Sequence, residues 1–151
     1  MDTNDLRYIL KSDPKIRTHF IDVFALDEFK RFVVQNNLTD GIYVVNDEAS
    51  TDIGNHWFLI FVDTACINFV DSFGKSPEFY NIKRELSNVK LLLQNHRQIQ
   101  SSTSNVCGVY TVFFSFNFVR GKTLSEILKH FSKTDLVSND EAVLRFLRKT
   151  F

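Results

Sequence analysis

Disulfide staples, a membrane span and a net charge are all missing from this 151-residue chain. With only Cys66 and Cys107 it is no disulfide scaffold, and neither cysteine has the paired spacing of a zinc site. A reducing, intracellular setting is therefore expected. No uninterrupted apolar run approaches the ~20 residues of a membrane helix. The start, Met1-Asp2-Thr3-Asn4-Asp5-Leu6, has neither the basic opening nor the apolar core of a signal peptide, so a soluble, unsecreted protein is expected. Lys plus Arg equals Asp plus Glu at 18 each, which leaves no long-range field to recruit nucleic acid or an anionic membrane. One Met and one Trp stand against 16 Phe, pointing to a core filled by aromatic rings. The length suits one compact domain over residues 1–151.

What is present reads as an α+β pattern. Asp5 to Lys11 forms a first helix ended by Ser12-Asp13-Pro14, because proline disfavours a helical residue before it. Phe20 to Phe24 is a short apolar stretch, and Leu26 to Gln35 carries apolar positions at helical spacing, closed by the polar turn Asn36 to Gly41. Ile42 to Val45 is a β-branched run, Asn46 to Asn55 a polar loop. Trp57 to Val62 and Ile67 to Val70 are aromatic and β-branched strands whose short link implies an antiparallel hairpin. A turn-rich loop, Asp71 to Pro77, precedes an expected helix from Glu78 to Leu86. Val89 to Leu93 reads as a strand, and Gln94 to Gln100 as room for a short final one.

Propensity alone votes strand for Gly108 to Val119, yet the length of that run without a turn residue favours a helix buried on most sides. Thr123 with Glu126 and Ser138 with Glu141 have capping-box spacing and mark two further helix starts. The expected architecture is a small, mostly antiparallel sheet flanked by helices, with a central buried helix carrying Cys107.

Cys107 stands where the polar loop Gln100 to Val106 meets that apolar helix. There the unpaired N–H groups and the macrodipole stabilise a thiolate. A lone cysteine in apolar surroundings is also, and more commonly, a small core residue. A nucleophilic thiol needs a base, a group to orient that base, and donors for the oxyanion. His56 immediately precedes one strand of the hairpin and Asp71 immediately follows the other, so antiparallel pairing brings both to one sheet edge. Gln100 is a suitable oxyanion donor, with the Cys107 N–H as its partner. Each has an ordinary solvated role as well. Cys66, His19, His96 and His130 have no comparable neighbours and are read as structural or surface residues.

His56-Trp57, then Phe69-Val70-Asp71-Ser72-Phe73-Gly74, then Gln100 with six residues to Cys107-Gly108, resembles the adenovirus endopeptidase group. That group comprises the capsid-maturation cysteine proteases of adenoviruses and relatives in virophages and Maverick/Polinton elements. The order His, acid, Gln, Cys is that of the group and the reverse of papain's Cys-first order. The resemblance implies an adenain-type, papain-like fold. It makes Cys107 the nucleophile, His56 the general base and then acid, Asp71 the orienter of the imidazole and Gln100 the oxyanion donor. Trp57 would pack near the catalytic ring, and Gly108 would keep space in the substrate cleft. The implied reaction is endopeptidase cleavage of virion precursor proteins, next to small residues and glycine especially, where particles assemble in the infected cell and in the virion.

No cofactor or metal is implied. The group's best-known members are activated by a disulfide-linked peptide and by DNA. No cysteine lies in Val89 to Leu93, where that link is expected, and the balanced charge does not favour DNA. A monomer acting without a membrane is expected, and Ser72 stands where relatives often carry proline. Two other readings share the same residues: a deconjugase for ubiquitin-like modifiers, whose usual Gln-to-Cys spacing is one residue shorter, and a catalytically silent virion scaffold.

Overall fold

The computed structural model describes residues 1–50, 56–87 and 90–151. The chain runs α1 (Thr3–Ser12), α2 (Pro14–His19), β1 (Phe20–Phe24), α3 (Leu26–Asn36), β2 (Gly41–Asn46), β3 (Trp57–Val62), β4 (Cys66–Val70), β5 (Leu91–Gln94), α4 (Cys107–Phe118), α5 (Leu124–Leu128) and α6 (Leu136–Thr150). The five strands lie side by side in chain order. β2–β3 and β3–β4 are antiparallel, whereas β1–β2 and β4–β5 are parallel. The sheet is thus mixed, antiparallel at its centre and parallel at both edges, where the sequence suggested a mostly antiparallel one. Each parallel edge follows from a long connection, through α3 on one side and through residues 71–90 on the other.

The central strands are near-continuous apolar runs because both faces of the sheet are covered. Side chains alternate across the pleat. Ile42, Val44, Leu59, Phe61 and Val70 join a cluster with Leu6 and Leu10 of α1, Val112, Phe114 and Phe118 of α4, and Val143 of α6. Tyr43, Val45, Phe58, Ile60, Val62 and Phe69 face the other way, onto Phe29 of α3 and onto Tyr80, Ile82 and Leu86. The abundant phenylalanines do this packing ring to ring, as where Phe61 of β3 stacks on Phe118 of α4 at 4.9 Å and 4°. α4 is a helix, buried on most of its circumference, so burial overrides the strand propensity of its residues.

Several local expectations need correction. Glu78 to Leu86 is a chain of turns, not a helix: Tyr80 and Ile82 both donate their N–H to the Pro77 carbonyl, and Asn81 takes a positive φ of 57° that breaks helical geometry. Gln94 to Gln100 holds no strand beyond Gln94, the end of β5; the Ile99 and Gln100 amides bind the Ser72 carbonyl instead. Ser12-Asp13-Pro14 stops α1 but starts α2 at once. The Asp13 carboxylate caps α2 through the Lys15 and Ile16 amides, and Pro14 occupies its first position. The Thr123–Glu126 box caps α5. α6 begins before Ser138, capped by Asp135, which accepts the Ser138 N–H at 3.1 Å. Thr51 to Asn55 of the expected polar loop and Val89 of the expected strand lie outside the described residues.

Candidate active site

The hairpin of β3 and β4 pairs Leu59 with Val70, so the residue before β3 and the residue after β4 emerge at one edge. His56 and Asp71 meet there, with Nε2 2.7 Å from Oδ1. Both are buried, His56 at 5% exposure and Asp71 at 0%. The pair is held from several directions. The Asp71 carboxylate accepts the Phe73 N–H at 2.8 Å on Oδ1 and the Tyr80 hydroxyl on Oδ2. Asn95 clamps the backbone of Asp71, accepting its N–H at 2.9 Å and donating to its carbonyl at 2.6 Å. The His56 amide donates to Asp47 Oδ1 at 3.0 Å, and the imidazole lies 4.6 Å from the Phe73 ring and 6.5 Å from that of Tyr80.

Cys107 is the first residue of α4 and is 6% exposed. Its amide belongs to the first helical turn, whose N–H groups have no intrahelical acceptor. The thiol lies near enough to His56 to act on the charge of the ring. It does not complete a hydrogen bond to Nδ1, which is buried and without a partner among the described residues. Burial of the imidazole opposes its protonation. Asp71 and then Cys107 outweigh that cost, and the His56 pKa is pushed up to about 9. A thiolate beside an imidazolium is the nucleophilic form that thiol chemistry requires.

Gln100 is fully buried. Its Oε1 accepts the Ser72 hydroxyl at 2.5 Å, and its Nε2 donates towards the Ser104 carbonyl and hydroxyl, each at 3.0 Å. The loop is anchored from behind. Asn139 of α6 donates to the Ile99 carbonyl at 3.0 Å, and the Tyr110 hydroxyl of α4 sits 3.1 Å from that carbonyl and 2.8 Å from Asp140 Oδ1. Burial and the Asp140 carboxylate hold the Tyr110 phenol well above its usual pKa, so it remains a donor.

Trp57 packs against Gly108: a Cβ on Gly108 would meet Met1 Sδ at 3.2 Å, with Leu6 Cδ2 and Trp57 Cδ1 each at 3.5 Å. A cavity of about 500 Å³ reaches Trp57 and is lined also by Met1, Asp2, Arg7, Glu28 and Asn46. A cavity of about 590 Å³ lies away from these residues, between β5 and α5. Cys66 opens β4 as a half-buried free thiol. Among the described residues no cluster of three or more His, Cys, Asp or Glu side chains could hold a metal ion, and no helix is long and apolar enough to cross a membrane.

Tyr80, Asn95 and Asp47 were not singled out from the sequence. A Tyr in a turn or an Asn after a strand carries no local signal; each becomes part of the site only through the path of the chain around Asp71 and His56.

The mixed five-stranded sheet of the described residues, flanked by helices, has the fold of Ulp-type cysteine proteases. No protein-family model matches the chain, and no curated protein sequence matches it. Among solved structures it is similar to the ASFV pS273R protease, with a TM-score of 0.50 and 22% identity over 70% of this chain, which spans 42% of that one. It is also similar to the C-terminal Ulp1 protease domain in complex with Smt3, the yeast ortholog of SUMO, with a TM-score of 0.51 and 14% identity over 97% of this chain and 76% of that one. These likenesses are of fold.

Proposed function

We propose that the chain is a cysteine endopeptidase in which Cys107, His56, Asp71 and Gln100 carry the reaction. One observation bears most of the weight: the imidazole is tied to Asp71 through Nε2, leaving buried Nδ1 as the nitrogen available to the Cys107 thiol. With the thiol proton already resting on Nδ1 of the imidazolium, Cys107 Sγ attacks the scissile carbonyl carbon. The carbonyl oxygen gains the negative charge and is met by the Gln100 amide and the Cys107 N–H. His56 then protonates the departing amine as the C–N bond breaks, leaving a thioester on Cys107. Water, deprotonated by His56, attacks the thioester, and the thiolate leaves with the imidazolium restored. Asp71 orients the ring throughout and balances its charge.

The substrates we propose are virion precursor proteins cut in extended segments with small residues, glycine especially, at the scissile bond. The fold shared with ASFV pS273R protease supports a viral setting. The fold shared with the Ulp1 domain bound to Smt3, over nearly the whole of this chain, favours a second reading as a processing protease for a ubiquitin-like modifier. Purified protein is incubated in parallel with capsid precursors of the same genome, with and without DNA, and with a Smt3-type fusion, and products are mapped by mass spectrometry. Cleavage of the precursors lost in Cys107→Ala supports the first reading. Cleavage of the fusion alone selects the second. Cleavage of neither, with Cys107 no more reactive than Cys66, overturns both.

A further inference from the structure

Ser72 follows Asp71 directly, yet its hydroxyl serves the other half of the site. It donates to Gln100 Oε1 at 2.5 Å, and both side chains are shut off from solvent, at 2% and 0% exposure. The Ser72 carbonyl meanwhile accepts the Ile99 N–H at 2.9 Å and the Gln100 N–H at 3.0 Å. Backbone and side chain of Gln100 are thus both fastened to one residue. The amide needs such fastening because its two ends are nearly equal in shape and opposite in charge. Nε2 turned to a developing oxyanion stabilises it; Oε1 in that place repels it. Ser104 offers a carbonyl, an obligate acceptor, on the Nε2 side, and Ser72 offers a hydroxyl proton on the Oε1 side. The Ser104 carbonyl, which can only accept, sets the orientation of the amide, and the Ser72 hydroxyl pins its Oε1 end in place.

We propose that Ser72 is a positioning residue that holds the Gln100 amide with its nitrogen available to the oxyanion. The proposal rests on the cysteine peptidase reading and separates from it experimentally. An N-acyl diglycine aldehyde adds to the thiol and creates an oxygen in the oxyanion position, whereas iodoacetamide needs only the thiolate. The aldehyde's affinity is read as protection of Cys107 from iodoacetamide, in wild type, Ser72→Ala and Ser72→Thr.

A lost oxyanion donor costs on the order of 10²–10³ in rate, and a donor no longer pinned at its Oε1 end should cost at least about tenfold in aldehyde affinity. In Ser72→Ala that weakening is expected with the alkylation rate and its pH profile unchanged, and Ser72→Thr, which keeps the hydroxyl, restores the affinity. Aldehyde affinity within twofold of wild type in Ser72→Ala overturns the proposal. So does a parallel loss of alkylation and aldehyde binding, which would mark a merely structural role. Wild-type Cys107 that alkylates readily but gains no protection from the aldehyde removes the oxyanion role of Gln100, and the Ser72 role with it. Wild-type Cys107 that reacts no faster than Cys66 overturns the peptidase reading itself.

Discussion

The hydrogen bond between His56 Nε2 and Asp71 Oδ1, 2.7 Å long and closed off from solvent, fixes which ring nitrogen faces the thiol and which charge the ring carries. Because the folded pKa is raised from 6.5 to about 9, the imidazolium persists through neutral pH and is lost only as pH rises through about 9. The rate of Cys107 alkylation, followed against pH by mass spectrometry, should therefore keep the character of an ion pair up to that point. In Asp71→Asn that transition should move down towards the ordinary histidine range. The same raised pKa makes a contribution to stability that is complete below pH 6.5 and disappears by about pH 9, so the melting temperature of the wild type should fall across that interval more than that of His56→Ala.

Cys107 and Cys66 form an internal comparison within one molecule. Cys107 has an imidazole beside it and heads α4, whereas Cys66 opens β4 as a half-buried thiol. At mildly acidic pH iodoacetamide should label Cys107 first despite its deeper burial, and His56→Ala should abolish the preference. Peptide mapping after brief labelling reads the ratio directly.

Gly74 closes the turn that carries Asp71, its N–H donating to the Asp71 carbonyl at 2.8 Å. Its φ is +77°, and an added Cβ would stand 2.8 Å from Gln98 N and 2.9 Å from Arg97 C, backbone atoms that cannot step aside cheaply. Gly74→Ala should therefore cost more than the ~1–2 kcal/mol of a left-handed residue alone. Urea denaturation measures that loss, and Cys107 reactivity should fall with it as the turn and the Gln98–Gln100 segment are pushed apart.

Asp13 joins three elements. It caps α2 and binds Arg120 beyond the end of α4 at 2.6 Å, while that guanidinium also lies 3.5 Å from the Phe116 ring centroid. Burial raises its pKa, but the Arg120 side chain and the Ile16 and Lys15 amides overcome this and hold the carboxyl below 3.8. Its contribution is accordingly present above pH 3.8 and lost as pH falls through the lower folded value. Asp13→Ala should destabilise by about 1–2 kcal/mol at pH 7, the range for a lost N-cap, and less at pH 2–3.

The sequence was most legible where a single physical cause acts locally. Trp57 to Val62 reads as a strand because every residue suits a pleat buried on both sides, and the short link to β4 dictates the antiparallel pairing that sets His56 opposite Asp71. Thr123 and Glu126 cap a helix with their own side chains. Legibility fails where partners are distant. Residues 78–86 carry enough helix formers to suggest a helix, but Tyr80 is drawn beneath His56, stacking 4.4 Å from Phe58, and the chain turns at Asn81 to allow it. The polar segment Gln94 to Gln100 leaves room for a short strand, yet Asn95 is committed to Asp71 and Gln100 to Ser72. The start of α6 was misplaced because Asp135 and Ser138 both suit a cap.

The Asp71–Ser72 peptide unit has a consequence for how the site assembles. Asp71 faces the imidazole and Ser72 faces the Gln100 amide, so a rotation of the one turn that carries them would unseat the base and the oxyanion donor in the same movement. Proton acceptance and charge stabilisation are therefore geared together. Distorting that turn should impair both halves of the site, whereas removing the Ser72 hydroxyl alone should impair only the oxyanion half.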